Sequence, residues 1–250
     1  MKPLTILELA LSDSNELKIH QSMGSIFHGA LMELLNSDYV EFLHTMQLRP
    51  YSQCLYFNRD KGVWLWRLST FEQNATENIL QKVENLQKLY LKQKQAEVQF
   101  LSCEVKAESD YRELLDKHFA QTRQERYILL NFLSPASFKS NGEYMFYPTP
   151  RLILGSLLNK WNTCSEVKLE ESNLLENLTA ETYIAGYKLA SRKFELEGSM
   201  VPGFRGEFTL GLRGNIMANR IIRLLAEFAQ FAGVGMKTAL GMGGINLEFR

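Results

Sequence analysis

Apolar residues in the first half of the chain follow two spacings, and each spacing predicts one kind of element. A continuous apolar run predicts a strand at Leu4–Leu11, whereas Met23, Phe27, Leu31 and Leu34 recur at the spacing of one helix face. The remaining elements predicted here are a short helix at Tyr39–Thr45, strands at Cys54–Phe57 and Val63–Leu68 around a turn with Gly62, a helix at Asn78–Leu91 and a strand at Val98–Val105. The predicted order is β-α-β-β-α-β.

The second half repeats this order after a polar segment, 106–126, that carries one small helix near Tyr111–Phe119. The predicted elements are strands at Tyr127–Leu133 and Tyr144–Tyr147, a helix at Arg151–Trp161 opened by Pro148 and Pro150, strands at Tyr183–Leu196 and Glu207–Leu212 around a turn rich in Gly and Pro, a helix from Ile216 to Ala232 capped by Asn215, and a strand at Ile245–Phe249. We therefore predict an α+β chain of two tandem ferredoxin-like (βαββαβ) folds, with domains at 1–122 and 123–250.

Composition excludes several classes of protein without naming a function. The 250 residues include 28 Lys+Arg and 28 Asp+Glu, so a histone-like or tail-driven nucleic-acid binder is not expected. Cys54, Cys103 and Cys164 lie too far apart for a disulfide framework or a zinc site, and we expect small buried thiols. No apolar run approaches 18 residues, and Glu8 interrupts the first one, so we expect a cytoplasmic protein with no membrane span and no signal peptide.

The most unusual segment is glycine-rich: five of the sixteen glycines lie within twelve residues, 233–244. It fits neither common nucleotide-binding motif, because Thr238 stands where GxGxxG needs glycine and Met236 stands before Lys237 where a P-loop needs glycine. Both motifs also precede their helix, whereas this segment follows one. Two interpretations stay open: a loop whose backbone and Lys237 meet a phosphate, or a tight crossover between the last helix and the last strand.

A second cluster combines His44, at the end of a short predicted helix, with Arg49, Tyr51 and Ser52. A histidine side chain can exchange a proton near neutral pH, and an arginine can stabilise a phosphorane. His28 lies next to the core-facing Phe27 and could share a cleft with His44. The alternative is that His44 is an ordinary solvated loop histidine, which is how we interpret His20 and His118.

Charge is distributed unevenly along the second half. The stretch 188–223 holds seven basic and three acidic residues, a net charge of +4, whereas 165–181 has a net charge of −4. A basic surface of this kind suits a phosphate backbone, although ordinary solvated faces would give the same count.

Four segments resemble a known family. The pattern Phe231–Gly243 is similar to the C-terminal glycine-rich signature of the CRISPR-associated Cas-six endoribonucleases, and Tyr39–His44 resembles their catalytic-histidine segment. The other two segments are Ser134–Lys139, with the following Tyr147–Pro150 and a helix ending near Asn162, and the turn Pro202–Gly206. The resemblance spans roughly residues 20–248 in the expected order, and its details are similar to members encoded beside type III, Csm-type effector complexes.

The resemblance implies RAMP-type, RRM-like folds and metal-independent cutting of CRISPR repeat RNA, without a cofactor, to 2′,3′-cyclic phosphate and 5′-hydroxyl ends. It implies proton transfer by His44, with His28 where some relatives carry a tyrosine. Arg49 falls near a family lysine and could act only electrostatically, since an arginine does not give up its proton. The residues expected to hold RNA are Lys237, Gly233, Gly235, Gly241, Gly243, Arg192, Lys193, Arg205 and Arg220.

The expected partners are repeat RNA and, transiently, a type III effector complex, with the protein itself a monomer or weak homodimer. The alternative function is a non-catalytic module that only holds repeat RNA.

Overall fold

The computed structural model describes residues 1–12, 17–120, 125–196 and 198–250. Its first half forms an antiparallel five-stranded sheet with the strand order β2-β3-β1-β5-β4. The elements of this half are β1 (Leu4–Leu11), α1 (Gly24–Leu34), α2 (Ser37–Thr45), β2 (Tyr51–Asn58), β3 (Val63–Phe71), α3 (Gln73–Ala75), a π-helical turn Thr76–Leu80, α4 (Gln81–Val83), β4 (Lys88–Leu91), β5 (Ala96–Ser109) and α5 (Tyr111–Ala120).

The second half forms an antiparallel four-stranded sheet with the order β11-β6-β10-β9 and a small β7–β8 hairpin. Its elements are β6 (Tyr127–Ala136), β7 (Phe138–Ser140), β8 (Glu143–Met145), α6 (Pro150–Cys164), α7 (Leu174–Ala180), β9 (Thr182–Leu196), β10 (Ser199–Leu212), α8 (Ile216–Ala232) and β11 (Ile245–Phe249). In the second sheet the first strand, β6, lies between the third, β10, and the fourth, β11, and the second, β9, is at an edge. The first sheet has the same arrangement, with β1 between β3 and β5 and β2 at an edge, and adds β4 at the other edge. The predicted tandem ferredoxin-like fold is confirmed.

Two element predictions are wrong. The helix predicted at Asn78–Leu91 ends at Val83, and Lys88–Leu91 is the edge strand β4, in which Leu89 and Leu91 are buried while Lys88 and Tyr90 are exposed. The Gly/Pro turn predicted before Glu207 is instead part of β10, where Pro202 pairs only with Lys193 of β9. Proline is tolerated there because β6 does not extend far enough to need its N–H. The sequence pattern also does not predict helix α7.

The two sheets share an apolar core, with α8 packed between them. Leu4 and Phe71 of the first sheet belong to the same buried cluster as the α8 side chains, and the Phe71 and Phe228 rings lie 5.8 Å apart, edge to face. The predicted domain boundary at 122/123 falls in 121–124, outside the described residues, and stays a prediction.

A buried arginine also joins the two halves. Arg67 of β3 donates to Glu8 Oε1 of β1, at 2.6 and 2.9 Å, and to the Ile245 carbonyl oxygen of β11, at 2.8 Å. Because the guanidinium and the carboxylate are both buried and paired, removing either would strand a charge in the interior. This network therefore fixes β11 against the first sheet.

Two sequence predictions about polar side chains differ in outcome. His20 is exposed as expected, but His118 is buried, and its Nε2 lies 2.7 Å from Glu227 Oε2, which connects α5 to α8.

Of the three cysteines, Cys54 is buried and the other two are half-buried; all are free. No helix in the described ranges has the length and apolar character needed to cross a bilayer.

Candidate active site

His28 and Tyr51 form a hydrogen-bonded pair between α1 and the start of β2. Phe27 and Leu31 anchor α1 in the core, which leaves the neighbouring His28 half-buried at the edge of the helix. The Tyr51 Oη lies 2.7 Å from His28 Nδ1, and the two rings are nearly parallel. The sequence groups Tyr51 with the polar residues of this region but assigns it no role.

The electrostatic environment keeps this pair uncharged at neutral pH. Burial lowers the pKa of His28 to about 4, and the charges of Arg49 and His44 contribute to that lowering. Burial also raises the pKa of the Tyr51 hydroxyl well above its usual range. His28 is therefore a neutral imidazole, able to accept a proton and unable to supply one from an imidazolium.

His44 and Arg49 lie beside this pair. His44 is in the last turn of α2, exposed to solvent, while its neighbour Leu43 is fully buried and fixes the helix. Arg49 is half-buried in the segment that leads into β2. Both are close enough to His28 for their charges to lower its pKa, so the fold brings together the three side chains singled out from the sequence.

A cleft of about 410 Å³ lies between Arg49 of this group and the glycine-rich segment. Arg49 and the residues before it line one wall, and the loop 235–240 lines the other. Lys237 stands on this second wall with a left-handed backbone (φ 57°). The cleft is therefore lined by cations from both halves of the chain.

The glycines of the loop are packed tightly against neighbouring backbone or side-chain atoms. A Cβ on Gly243 would lie 2.0 Å from the Val234 carbonyl oxygen, and its own N–H donates to the Pro135 carbonyl at 2.9 Å. Comparable close contacts occur at Gly233, Gly235, Gly241 and Gly244. The tight-crossover interpretation thus accounts for these glycines, and Lys237 is the loop's charged side chain at the cleft.

Two polar side chains that the sequence does not single out hold this loop. Lys160 is buried in α6, and its Nζ donates to the Ala232 and Gly233 carbonyl oxygens, both at 2.9 Å, and to Thr238 Oγ1 at 3.3 Å. Gln53 Nε2 donates at 2.9 Å to both the Gly24 and Ala239 carbonyl oxygens. One feature of the sequence could have pointed to Lys160, which is its position on the apolar face of α6, next to Trp161.

A cluster of three arginines, Arg59, Arg192 and Arg205, lies away from the cleft. Arg205 is half-buried and donates to Gln21 Oε1 at 3.1 Å. Burial and the charges of Arg192 and Arg59 lower its pKa. We call this group the arginine cluster. Arg59, in the turn after β2, belongs to the first half, and no sequence pattern singles it out.

The other predicted RNA-binding residues lie elsewhere. Lys193 follows Arg192 on β9 and points to the opposite face of the sheet, and Arg220 is a half-buried residue of α8. Arg223, which counts toward the basic stretch, is buried and donates to the Glu125 carbonyl oxygen. Within the described part of the chain, no group of three or more His, Cys, Asp or Glu side chains could hold a metal ion.

Comparisons with known proteins agree on one family. The family model for the CRISPR-associated endoribonuclease Cas6 matches residues 130–245. The Cas6 endoribonuclease of Streptococcus thermophilus is 33% identical over 237 residues, covering 92% of this chain and 93% of that protein. That of Mycobacterium tuberculosis is 28% identical over 227 residues, covering 91% and 72%.

Solved structures have the same fold. A Cas6 product complex superposes with a TM-score of 0.80 at 23% identity, covering 98% of this chain and 99% of that chain. Thermus thermophilus Cas6 gives a TM-score of 0.75 at 20% identity, covering 99% of both chains. With a third of its residues identical to one Cas6 protein over nearly the whole of both chains, this chain belongs to the Cas6 (Cas-six) family of CRISPR-associated endoribonucleases.

Proposed function

We propose that this protein cleaves precursor CRISPR RNA within its repeats by a metal-independent reaction, and so supplies guide RNA for antiviral defence. The observation that carries the proposal is the neutral His28, which is bonded to Tyr51 and lies near His44 and Arg49. Arg49 in turn lines a cleft whose other wall carries Lys237. Similar Cas6 structures are described as product and substrate-mimic complexes, which supports RNA as the ligand.

The chemistry requires one proton acceptor and one proton donor. The acceptor removes the proton from a ribose 2′-hydroxyl, whose oxygen attacks the adjacent phosphorus in line. The bond to the 5′-oxygen breaks, and the donor protonates that oxygen. The products are a 2′,3′-cyclic phosphate and a 5′-hydroxyl, and no metal, cofactor or water is consumed.

We assign the acceptor role to His28 and the donor role to His44. A pKa of about 4 leaves His28 unprotonated at neutral pH, and when its Nδ1–H donates to Tyr51 Oη, the Nε2 lone pair is free to take a proton. His44 is exposed and can be reprotonated by solvent after each turnover. Arg49 and Lys237, on opposite walls of the cleft, would stabilise charge on the phosphorane.

The proposed RNA path runs between two domains, 1–122 with the histidines and 123–250 with the glycine-rich loop. The arginine cluster spans both halves and would hold the phosphate backbone outside the cleft, with Lys193 and Arg220 as further contacts. Gly233, Gly235, Gly241 and Gly243 would act by shaping the loop that presents Lys237.

We also propose that the protein acts in the cytoplasm, where its three free cysteines are compatible with a reducing environment. We expect a monomer or weak homodimer that passes its product transiently to a type III, Csm-type effector complex, as the resemblance implies.

One assay tests the proposal. End-labelled repeat RNA is incubated with the protein in excess EDTA, and the 3′ end of the product is examined for a cyclic phosphate. Cleavage at one position with that end supports the enzyme. A shifted band without product would identify a non-catalytic RNA-binding module, and cleavage only after Mg²⁺ is restored would refute the mechanism.

A further inference from the structure

An apolar groove of about 360 Å³ lies on the second half of the chain, outside the cleft. It runs between the segment that follows β8 and the edge strand β9, and we call it the aromatic groove. Its principal side chains are Phe146, Tyr147, Pro148, Ile184, Tyr187 and Leu189. The buried Phe204 and Phe208 of β10 form its floor.

The exposure of these rings is unusual for a folded protein. Tyr187 is 72% exposed, Tyr147 54%, Phe146 46% and Ile184 45%. Single exposed apolar side chains are common, but several aromatic rings around one groove mark a binding surface. Neither Tyr147 nor Tyr187 contributes to the core or to the proposed catalytic group, so folding and catalysis do not explain their exposure.

Charge around the groove favours a polyanion. None of the described residues that line it is acidic. The strand that forms one wall, β9, also carries Lys188, Arg192 and Lys193. Of these, Lys193 projects from the same face of the strand as Tyr187 and the groove-lining Ser191, since alternate residues of a strand face opposite sides. A cation therefore lies beside the groove, on the face that carries its aromatic rings.

We propose that the aromatic groove binds unpaired nucleotides of the RNA. Bases would stack on Tyr187 and Tyr147, and the backbone would continue along β9 to Lys193. Stacking on exposed rings flanked by cations is how proteins hold single strands with little dependence on sequence. The inference deepens the proposed function, on which it rests, by assigning a site for a single-stranded flank outside the cleft.

The test measures binding of a labelled oligouridine of about ten nucleotides, within the site size of single-strand binding folds, at physiological salt. Tyr187→Ala and Tyr147→Ala should each weaken binding by about 5- to 150-fold, the range expected for one stacked base. Tyr187→Phe and Tyr147→Phe keep the ring and should bind like the wild type. Tyr90→Ala is the matched control, since Tyr90 is also 54% exposed but lies on β4 of the first sheet.

Loss of binding in the two alanine variants alone supports the aromatic groove as the binding site. Wild-type affinity in both alanine variants overturns the inference, as does an equal loss in Tyr90→Ala. If oligouridine binding is unchanged while sedimentation shows that the alanine variants dissociate a dimer, the groove binds a second copy of the chain instead. Failure of the proposed function is recognised separately, because the wild type would then leave repeat RNA uncut while oligouridine binding still responds to the two tyrosines.

Discussion

Gly24, at the start of α1, and Gly241, in the glycine-rich loop, are in direct backbone contact. A Cβ on Gly24 would lie 2.7 Å from the Gly241 Cα and 2.6 Å from the Leu240 carbonyl oxygen. Only glycine allows so close an approach. Because His28 lies one turn after Gly24, this contact fixes the distance between the proposed base and the loop that carries Lys237.

The first prediction compares two glycines of the same helix. Gly24→Ala should lower the free energy of unfolding by about 1–3 kcal/mol, because its methyl group meets backbone that cannot move aside. At Gly29 no atom lies within 4 Å of an added methyl group. Gly29→Ala should therefore raise the free energy of unfolding by about 0.5–1 kcal/mol, because alanine is more stable than glycine in a helix. Urea unfolding measures both changes. Equal effects of the two substitutions would show that the Gly24–Gly241 contact is not tight.

The second prediction concerns the stability of the protein in acid. The pKa of His28 is lowered from 6.5 to about 4, so between these pH values the unfolded chain binds a proton that the folded chain does not. The free energy of unfolding must then fall as the pH drops from 6.5 to 4, by up to roughly 3 kcal/mol from this group.

His28→Gln removes the titrating group and should give a shallower fall over that pH interval, measured by urea unfolding at a series of pH values. Carboxylates contribute equally to both proteins, so the difference between the two curves reports on His28. Parallel curves would mean that His28 titrates normally in the folded protein.

The order of the elements can be predicted from the sequence because strand and helix periodicities are local. The prediction is wrong at Lys88–Leu91, where apolar residues continue the helical spacing beyond Val83 although the chain has turned into an edge strand. The local sequence pattern cannot distinguish a helix from a strand here, because the deciding interaction is the pairing of β4 with β5.

Local sequence patterns also predict only part of the candidate site. His44 and Arg49 are close in sequence and can be grouped, whereas the contacts of Lys160 and Gln53 with the glycine-rich loop connect residues far apart in the chain. Arg59 could not be predicted for the same reason, since only the folded chain brings it near Arg205. Long-range polar contacts leave no periodic pattern in a sequence.

The third prediction separates catalysis from binding. His44→Ala should reduce the single-turnover cleavage rate by about 10²–10⁴-fold, the usual contribution of one acid or base, with RNA affinity nearly unchanged. His20→Ala, an exposed histidine outside the proposed site, is the control and should cut at the wild-type rate. Wild-type cleavage by His44→Ala would remove it from the mechanism and leave His28 as the principal candidate.

The fourth prediction concerns Lys160. Burial lowers its pKa to about 7 from 10.5, so above pH 7 the folded protein releases a proton that the unfolded chain keeps, and stability should rise with pH toward 10.5. Lys160→Met abolishes this rise. At neutral pH it also leaves the Ala232 and Gly233 carbonyls without their donor, at a cost of about 1–3 kcal/mol each.

Urea unfolding between pH 7 and 10 tests the Lys160 prediction. Lys82→Met, an exposed lysine of α4, is the control and should follow the wild type. A constant difference between Lys160→Met and the wild type across this interval would show that the buried amine keeps its proton throughout.

The last prediction concerns the arginine cluster. If Arg59 contacts a phosphate, Arg59→Ala should weaken repeat-RNA binding and reduce the slope of log affinity against log salt by about one. Cleavage at saturating RNA should be unchanged, because the substitution leaves the His28–Tyr51 pair intact. The control is Lys94→Ala, because Lys94 is an exposed lysine that follows β4, at the edge of the first sheet opposite to β2. Filter-binding titrations over a range of salt concentrations give both slopes. An equal slope for Arg59→Ala and the wild type would exclude a phosphate contact at Arg59, and RNA would then be held by Arg192 and Arg205 alone within this cluster.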